Sequence, residues 1–450
     1  MSKSMKEVNV KSERNDTNVI LIALDTLRAD HMSCYRYDLE TTPGIDEFAA
    51  DGVLFEDCIA PAIPTHPGYT TIFTGVNPLR HGVVSHGGSH VLPYGIPLIS
   101  QILHEEGFLT VAIDNLIATR APWFYRGYEY YVFSGGITVI SGGYKITGEV
   151  VTKKALRFLN LWKEGRFDHK PFFMFIHYWD PHAPYFPPPP FRGTFYQPSE
   201  KAESIKALMM KTVWGRILLK GWVGKLVEER DEKSYLDGLY DDEILYVDKQ
   251  VSEVISWLKD AELYDETIIL ITADHGELLG EHNIFYDHHG LYEGDIHVPL
   301  IIKSPNLPRN VRVNGFVTHE DITPTILQLL GIKTDIRFDG ESLIEAVRKG
   351  ESRREFVVSL ENTRMTKRAI RTRNWKLIQT MRPDVYGNPA GYLELYNLER
   401  DPEEKENLAD SEEEILKDMV FKLECWYRRT LDGNPDPLTT QPISLPIRPS

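Results

Sequence analysis

Short, unbroken apolar runs recur through roughly the first 300 residues of the chain, and a polar side chain closes each of the most informative ones. The first run is Val19-Ile20-Leu21-Ile22-Ala23-Leu24, rich in β-branched residues and ended by Asp25. Similar runs stand at Phe108–Ile113, Phe172–Ile176, Thr267–Ile271 and Val298–Ile302. Apolar segments of this length without alternation predict strands buried on both faces, as in a parallel sheet. Helical periodicity lies between them, over Pro43–Ala50, Ile99–Glu106, Val150–Trp162 and Asp241–Ala261. Strand and helix in alternation predict an α/β fold with a doubly wound, mostly parallel sheet. Ligands in such sheets sit beyond the carboxyl ends of the strands. Asp25, His177 and Asp274 all fall where such runs end.

The C-terminal part has a different texture. Arg368–Arg371, Trp375–Ile378 and Glu394–Asn397 read as short antiparallel strands, followed by a polar segment and an amphipathic helix over Glu412–Arg428. We place a boundary near residue 350: a catalytic α/β domain over 1–350 and a smaller α+β subdomain over 351–450, with an irregular proline-rich tail from Asp432. A length of 450 residues fits two domains. Pro187–Pro190 must be a loop or spacer. Ile205–Glu229, with Lys206, Lys211, Arg216, Lys220 and Lys225 at helix-like spacing, predicts one amphipathic helix packed on the domain, in preference to a lid or a membrane-surface helix.

Fifty basic against 66 acidic side chains give a net charge of −16. That balance argues against nucleic acid or an anionic membrane as a broad partner, yet permits a local cationic pocket. The three cysteines, Cys34, Cys58 and Cys425, make neither a disulfide framework nor a cysteine zinc site. Residues 1–16 contain no apolar run of signal-peptide type, and no segment has the apolar length of a membrane span. A cytoplasmic, soluble protein is the expectation; homo-oligomerisation is left open.

Two strand ends carry metal-ligand chemistry. Asp25 ends one run, and Asp274-His275-Gly276 follows another. A single Asp at such a place commonly caps a helix, whereas adjacent Asp and His forfeit core packing and suit a divalent cation. Thr65, in Pro64-Thr65-His66-Pro67-Gly68-Tyr69, precedes a helix start, where free N–H groups favour an anion. Taken alone, Thr65 reads as a helix cap.

Several segments together carry a resemblance. Asp25-Thr26-Leu27-Arg28-Ala29-Asp30-His31, His177-Tyr178-Trp179-Asp180-Pro181-His182, Asp274-His275-Gly276-Glu277 with Gly280-Glu281-His282, and Leu395-Tyr396-Asn397 resemble, in order, the sulfatase family of the alkaline phosphatase superfamily. The resemblance implies an ester hydrolase with one divalent metal held by Asp25, Thr65, Asp274 and His275. It makes Thr65, ten residues before Gly75, the nucleophile, and gives His182 contact with the substrate anion or protonation of the leaving group. His86, Asn115, His182, His288 and Tyr69 form the implied substrate-binding set. The substrate is expected to be a small anionic ester. Imidazole among the ligands tilts the metal towards Mn or Zn, with Ca or Mg open and a second metal not expected.

The departures bear on the chemistry. Sulfatases carry Cys or Ser at the Thr65 position, in a Cys/Ser-x-Pro-Ser-Arg motif, and oxidise it to formylglycine. Here the segment is Thr-His-Pro-Gly-Tyr, so the motif arginine is replaced by Tyr69. The family's lysine is replaced by Asp287 or His288, and His86 stands where threonine phosphodiesterases of the superfamily carry a phosphate-binding Asn. Threonine at this spacing resembles those phosphodiesterases, so phosphodiesters or phosphonate esters are favoured. Sulfuric ester hydrolysis, phosphoryl or phosphoethanolamine transfer, and non-catalytic anion binding are the alternatives. His66, His86, His182, His288 and His289 are expected to converge in part on one pocket, some of them as imidazolium donors that replace the missing cations.

Overall fold

The computed structural model describes residues 17–86, 90–135, 147–198 and 202–443. The expectations for the first 16 residues and for the end of the tail lie outside them. An eight-stranded sheet runs in the order β11 (Val311–Thr318), β2 (Val53–Ile59), β10 (His297–Lys303), β7 (Ile268–Thr272), β1 (Val19–Leu24), β6 (Phe172–Tyr178), β4 (Leu109–Asp114), β5 (Tyr130–Phe133). All neighbours pair in parallel except β10, which is antiparallel to both β2 and β7. The mostly parallel α/β sheet expected from the apolar runs is therefore present. Every residue of β1, β4, β6 and β7 is buried, which is why those strands read as continuous apolar segments.

Helices cover the sheet in two groups. Lys233–Asp260 packs against both Gly148–Lys163 and Pro43–Ala50, while Thr65–Thr74 packs against Ile322–Leu329. β2, β5 and β11 lie outside the apolar runs because Glu56, Asp57, Arg312 and Asn314 interrupt two of them and the third is a half-exposed edge.

A second sheet has the order β15 (Leu393–Asn397), β14 (Trp375–Thr380), β13 (Lys367–Thr372), β12 (Phe356–Glu361), β3 (Ala62–Ile63), while β8 (Leu278–Leu279) and β9 (Phe285–Asp287) pair with each other. Its first four strands are antiparallel neighbours, and the helix Glu413–Leu431 packs on it. Its last strand is donated from the other end of the chain: Ala62 and Ile63 pair in parallel with Leu360 and Glu361, immediately before Thr65.

Two local expectations are corrected. Ile205–Glu229 is three short helices, Ile205–Met209, Val213–Leu218 and Trp222–Glu229. Thr212 ends the first by capping the second, its Oγ1 accepting the Gly215 N–H at 2.9 Å, and Gly221 opens the third. The segment does pack on the domain, burying Trp214, Leu218, Trp222 and Leu226. The proline-rich tail is not wholly irregular, since Pro437–Thr440 forms a helical turn capped by Asp436.

Candidate active site

Parallel register brings the strand-end carboxylates together. Ala23 of β1 pairs with Thr272 of β7 and with His177 of β6. Asp25 and Asp274 each lie two residues further on, so they stand at the same height above adjacent strands, about 4.8 Å apart in the sheet direction. Asp114, the last residue of β4, follows Ile113, which pairs with Ile176. Its Oδ1 receives His177 Nδ1 at 2.7 Å, while His177 Nε2 lies 3.1 Å from Asp25 Oδ2. Burial alone would drive the His177 proton off, but the Asp114 and Asp25 carboxylates on either side outweigh it and hold its pKa at about 9.

Potential ligand atoms of Asp25, Asp274 and His275 lie within 4.8 Å of one another, and all three residues are fully buried. Asp25 Oδ1 and Asp274 Oδ2 have no hydrogen-bond partner. His275 Nδ1 is 2.8 Å from the Gly276 carbonyl, which can only accept, so the proton sits on Nδ1 and Nε2 presents a lone pair. That Nε2 faces Asp274 Oδ2 at 3.2 Å and Thr65 Oγ1 at 3.4 Å. Burial, then the neighbouring His288, pushes the His275 pKa well below its usual value. Burial and the charge of Asp25 push that of Asp274 well above. Electron pairs that converge without donors, in a water-poor site, fit a divalent cation.

Thr65 opens the helix Thr65–Thr74 and is 2 % exposed, on the wall of a cavity of about 160 Å³. His86, His182 and His288 also line it, with Thr119, Trp179, Glu277, Asp287, Thr363 and Arg364, and an apolar side made by Trp214, Leu218 and Trp222. His182 Nδ1 donates to its neighbour's carbonyl, Ala183 O, at 2.5 Å, and its ring lies 5.5 Å from that of His288. His288 sits 4.3 Å ring to ring from His275. Burial works against its proton, but the Glu277 carboxylate 3.4 Å away raises its pKa overall. A larger hollow of about 420 Å³ beside Asp339 and Arg353 contains none of the motif residues.

Three of the five motif histidines thus share the cavity. His66 stacks on His86 at 4.0 Å and bonds Thr119 Oγ1, and His289 bonds Tyr386, so both serve the wall from behind. His86 reaches the cavity as a neutral ring, since burial and then His66 hold its pKa well below normal. Tyr69 and Asn115 are not among the lining residues. Tyr69 is wholly buried with its ring edge-on to His177, and Asn115 accepts from Trp179 Nε1 through Oδ1. Sequence reasoning passed over Asp114, Glu277, Thr363 and Arg364. Asp114 carried the same strand-end signal as Asp25, whereas nothing around Thr363-Arg364 marks it locally.

The family model described as Sulfatase matches residues 17–332, which is most of the chain. This protein belongs to the sulfatase family. A model of the N-sulphoglucosamine sulphohydrolase C-terminal region matches residues 280–427. The N-acetylglucosamine-6-O-sulfatase of Bacteroides thetaiotaomicron is 23% identical, over 95% of this chain and 89% of its own length. The multifunctional alkaline phosphatase superfamily protein PehA of Trinickia caryophylli is 24% identical, over 74% and 77%. In fold, the phosphonate monoester hydrolase of Agrobacterium radiobacter superposes with a TM-score of 0.73 at 20% identity, over 92% and 95% of the two chains. As a member of the sulfatase family the protein is an ester hydrolase of a metal-dependent class, and its buried Asp25–Asp274–His275 group is the candidate metal centre.

Proposed function

We propose that this sulfatase-family protein hydrolyses phosphodiesters or phosphonate monoesters of small molecules through a covalent intermediate on Thr65. The observation that carries the reading is the identity of residue 65. It is a threonine at a helix N-terminus, on the cavity wall, with its hydroxyl 3.4 Å from a deprotonated imidazole nitrogen. A formylglycine hydrate has a second hydroxyl whose oxygen expels sulfate by collapse to the aldehyde. Threonine has one hydroxyl and lacks that exit. A phosphoryl or phosphonyl threonine can instead be attacked at phosphorus by water.

Asp25, Asp274, His275 and Thr65 would hold the divalent cation, Mn or Zn by the chemistry of the set, which when bound lowers the hydroxyl pKa and neutralises ester oxygens. The helix N-terminus favours the developing alkoxide. Thr65 Oγ releases its proton to solvent, from which His182 is later recharged, and forms the bond to phosphorus as the bond to the alcohol breaks, while His182 Nε2 gives that alkoxide its proton. Water then displaces Thr65 and takes the phosphorus group away as the acid. Trp214, Leu218 and Trp222 suit an apolar or aromatic substituent on the ester.

A panel of nitrophenyl esters, supplied as phosphodiester, phosphonate, phosphate monoester and sulfate with Mn, Zn, Ca and Mg, tests the reading. Turnover should be fastest on the diester or phosphonate, and Thr65→Ala should lose at least ~10³-fold. Multiple-turnover sulfate hydrolysis exceeding both, with Thr65 unmodified, would assign the protein to the sulfuric ester hydrolases instead.

A further inference from the structure

The cavity faces an unusual electrostatic problem. It belongs to a protein of net charge −16, and its wall includes the carboxylates of Glu277 and Asp287. The arginine and the lysine with which the family meets an anion are replaced by Tyr69 and by Asp287 or His288. Among the described residues that line the cavity, Arg364 is the only lysine or arginine.

Arg364 comes from elsewhere in the fold, the turn between β12 and β13 of the second sheet. Three contacts fix that turn at the cavity. Thr363 Oγ1 accepts the backbone N–H of His86 at 2.9 Å, Arg364 Nε lies 3.1 Å from Asp287 Oδ2, and the guanidinium carbon stands 4.4 Å over the Trp214 ring. Its side chain is 15% exposed. Asp287 does not cancel its charge alone, because that carboxylate also accepts the His288 backbone N–H at 3.0 Å and faces His289 Nδ1 at 3.3 Å. The guanidinium field still reaches His86 and His288, where it opposes protonation.

We propose that Arg364 is the anion-recognition residue of this pocket, a fixed cation supplied by the second sheet that binds non-bridging oxygens of the substrate's acid group in place of the missing arginine and lysine. The proposal rests on the hydrolase reading for the nature of the substrate. A guanidinium stacked on an indole has a fixed plane, and its fork of N–H groups matches two oxygens of a phosphonate, phosphate or sulfate. A purely architectural Arg364 would tie the 205–229 segment to the second sheet without touching ligand.

Calorimetric titration of the full chain with inorganic phosphate and with sulfate, in the presence of manganese, separates the two roles without turnover. Arg364→Gln should weaken binding of the preferred anion by roughly 10–100-fold, and Arg364→Lys, which keeps charge but not the fork, by less. Bound metal should be unchanged in both. The double variant Arg364→Gln with Asp287→Asn leaves no unpaired carboxylate, so it guards against loss of fold and should show the same weakened anion binding. Anion affinity in Arg364→Gln within about threefold of wild type, or a wild-type protein that binds neither anion, would overturn the assignment. Tight, Arg364-dependent phosphate binding by a protein that cleaves no ester would uphold it while refuting the hydrolase reading.

Discussion

Asp25 and Asp274 set two buried carboxylates side by side, each with an oxygen that no donor reaches, and His275 adds a lone pair to the same space. Without a cation this arrangement costs folding free energy, because like charges and unpaired acceptors are taken out of water. Metal binding should therefore raise the thermal midpoint of the wild type, by the equivalent of ~2.7 kcal/mol at a hundredfold excess over Kd. Asp274→Ala should melt higher than the metal-free wild type and gain nothing from added Mn or Zn. A metal-induced rise surviving in that variant would remove Asp274 from the centre. His81 illustrates a buried histidine with no part in the chemistry. Its Nδ1 accepts the Val83 N–H at 3.0 Å, so Nε2 carries the proton towards Thr71 Oγ1, also at 3.0 Å. Burial lowers its pKa from 6.5 to about 3. Below pH 6.5 the unfolded chain takes up a proton that the folded chain refuses, so stability falls as pH drops from 6.5 towards 3. Between pH 7 and 5 the wild type should lose about 2 kcal/mol more than His81→Gln in urea denaturation. Equal losses would mean that His81 does not titrate this way.

At the scale of elements, the helix Thr65–Thr74 owes its place to Gly68. A Cβ there would stand 2.9 Å from the Asp274 carbonyl oxygen and 3.1 Å from Asp274 Cβ, so the helix rests directly on the segment of the candidate metal centre. The sulfatase motif has serine at this position, yet this chain has no room for one. Gly68→Ser, although it restores the motif, should cost about 1–3 kcal/mol and move Thr65 away from His275. Metal affinity and turnover should fall together; a Gly68→Ser protein with wild-type melting and metal binding would show that the contact relaxes freely. The insertion 205–229 shows how punctuation decides an element. Lysine and arginine spacing suggested one helix, but Thr212 and Gly221 divide it. Trp214 and Leu218 of the second piece and Trp222 of the third, spaced by four residues each, still line one cavity across the break at Gly221.

The whole molecule is tied together at the site. Ala62–Ile63 forms the edge of the second sheet, Thr363 binds the backbone of His86, and Arg364 enters the cavity from that sheet. Buried apolar side chains of Ala62, Leu79 and Val84 also share a cluster with Leu360, Ile370 and Leu423. The two sheets should accordingly unfold in one transition, with coincident midpoints by tryptophan fluorescence and far-ultraviolet dichroism. A first transition confined to residues beyond 350 would show that the sheets are energetically separate. Sequence alone determined the α/β class and the strands of the sheet centre, and it singled out the carboxylates and imidazole that the fold gathers into the candidate metal centre. Those features are local: a buried strand must be apolar throughout, and a polar residue at its end is conspicuous because it gives up packing. The Asp114–His177–Asp25 chain, the neutral state of His86, the burial of Tyr69 behind the site and the arrival of Arg364 were decided only by tertiary structure. Each depends on strand register, on desolvation, or on a contact such as that between Asp287 and Arg364, 77 positions apart (364 − 287), and no local pattern of residue types encodes those.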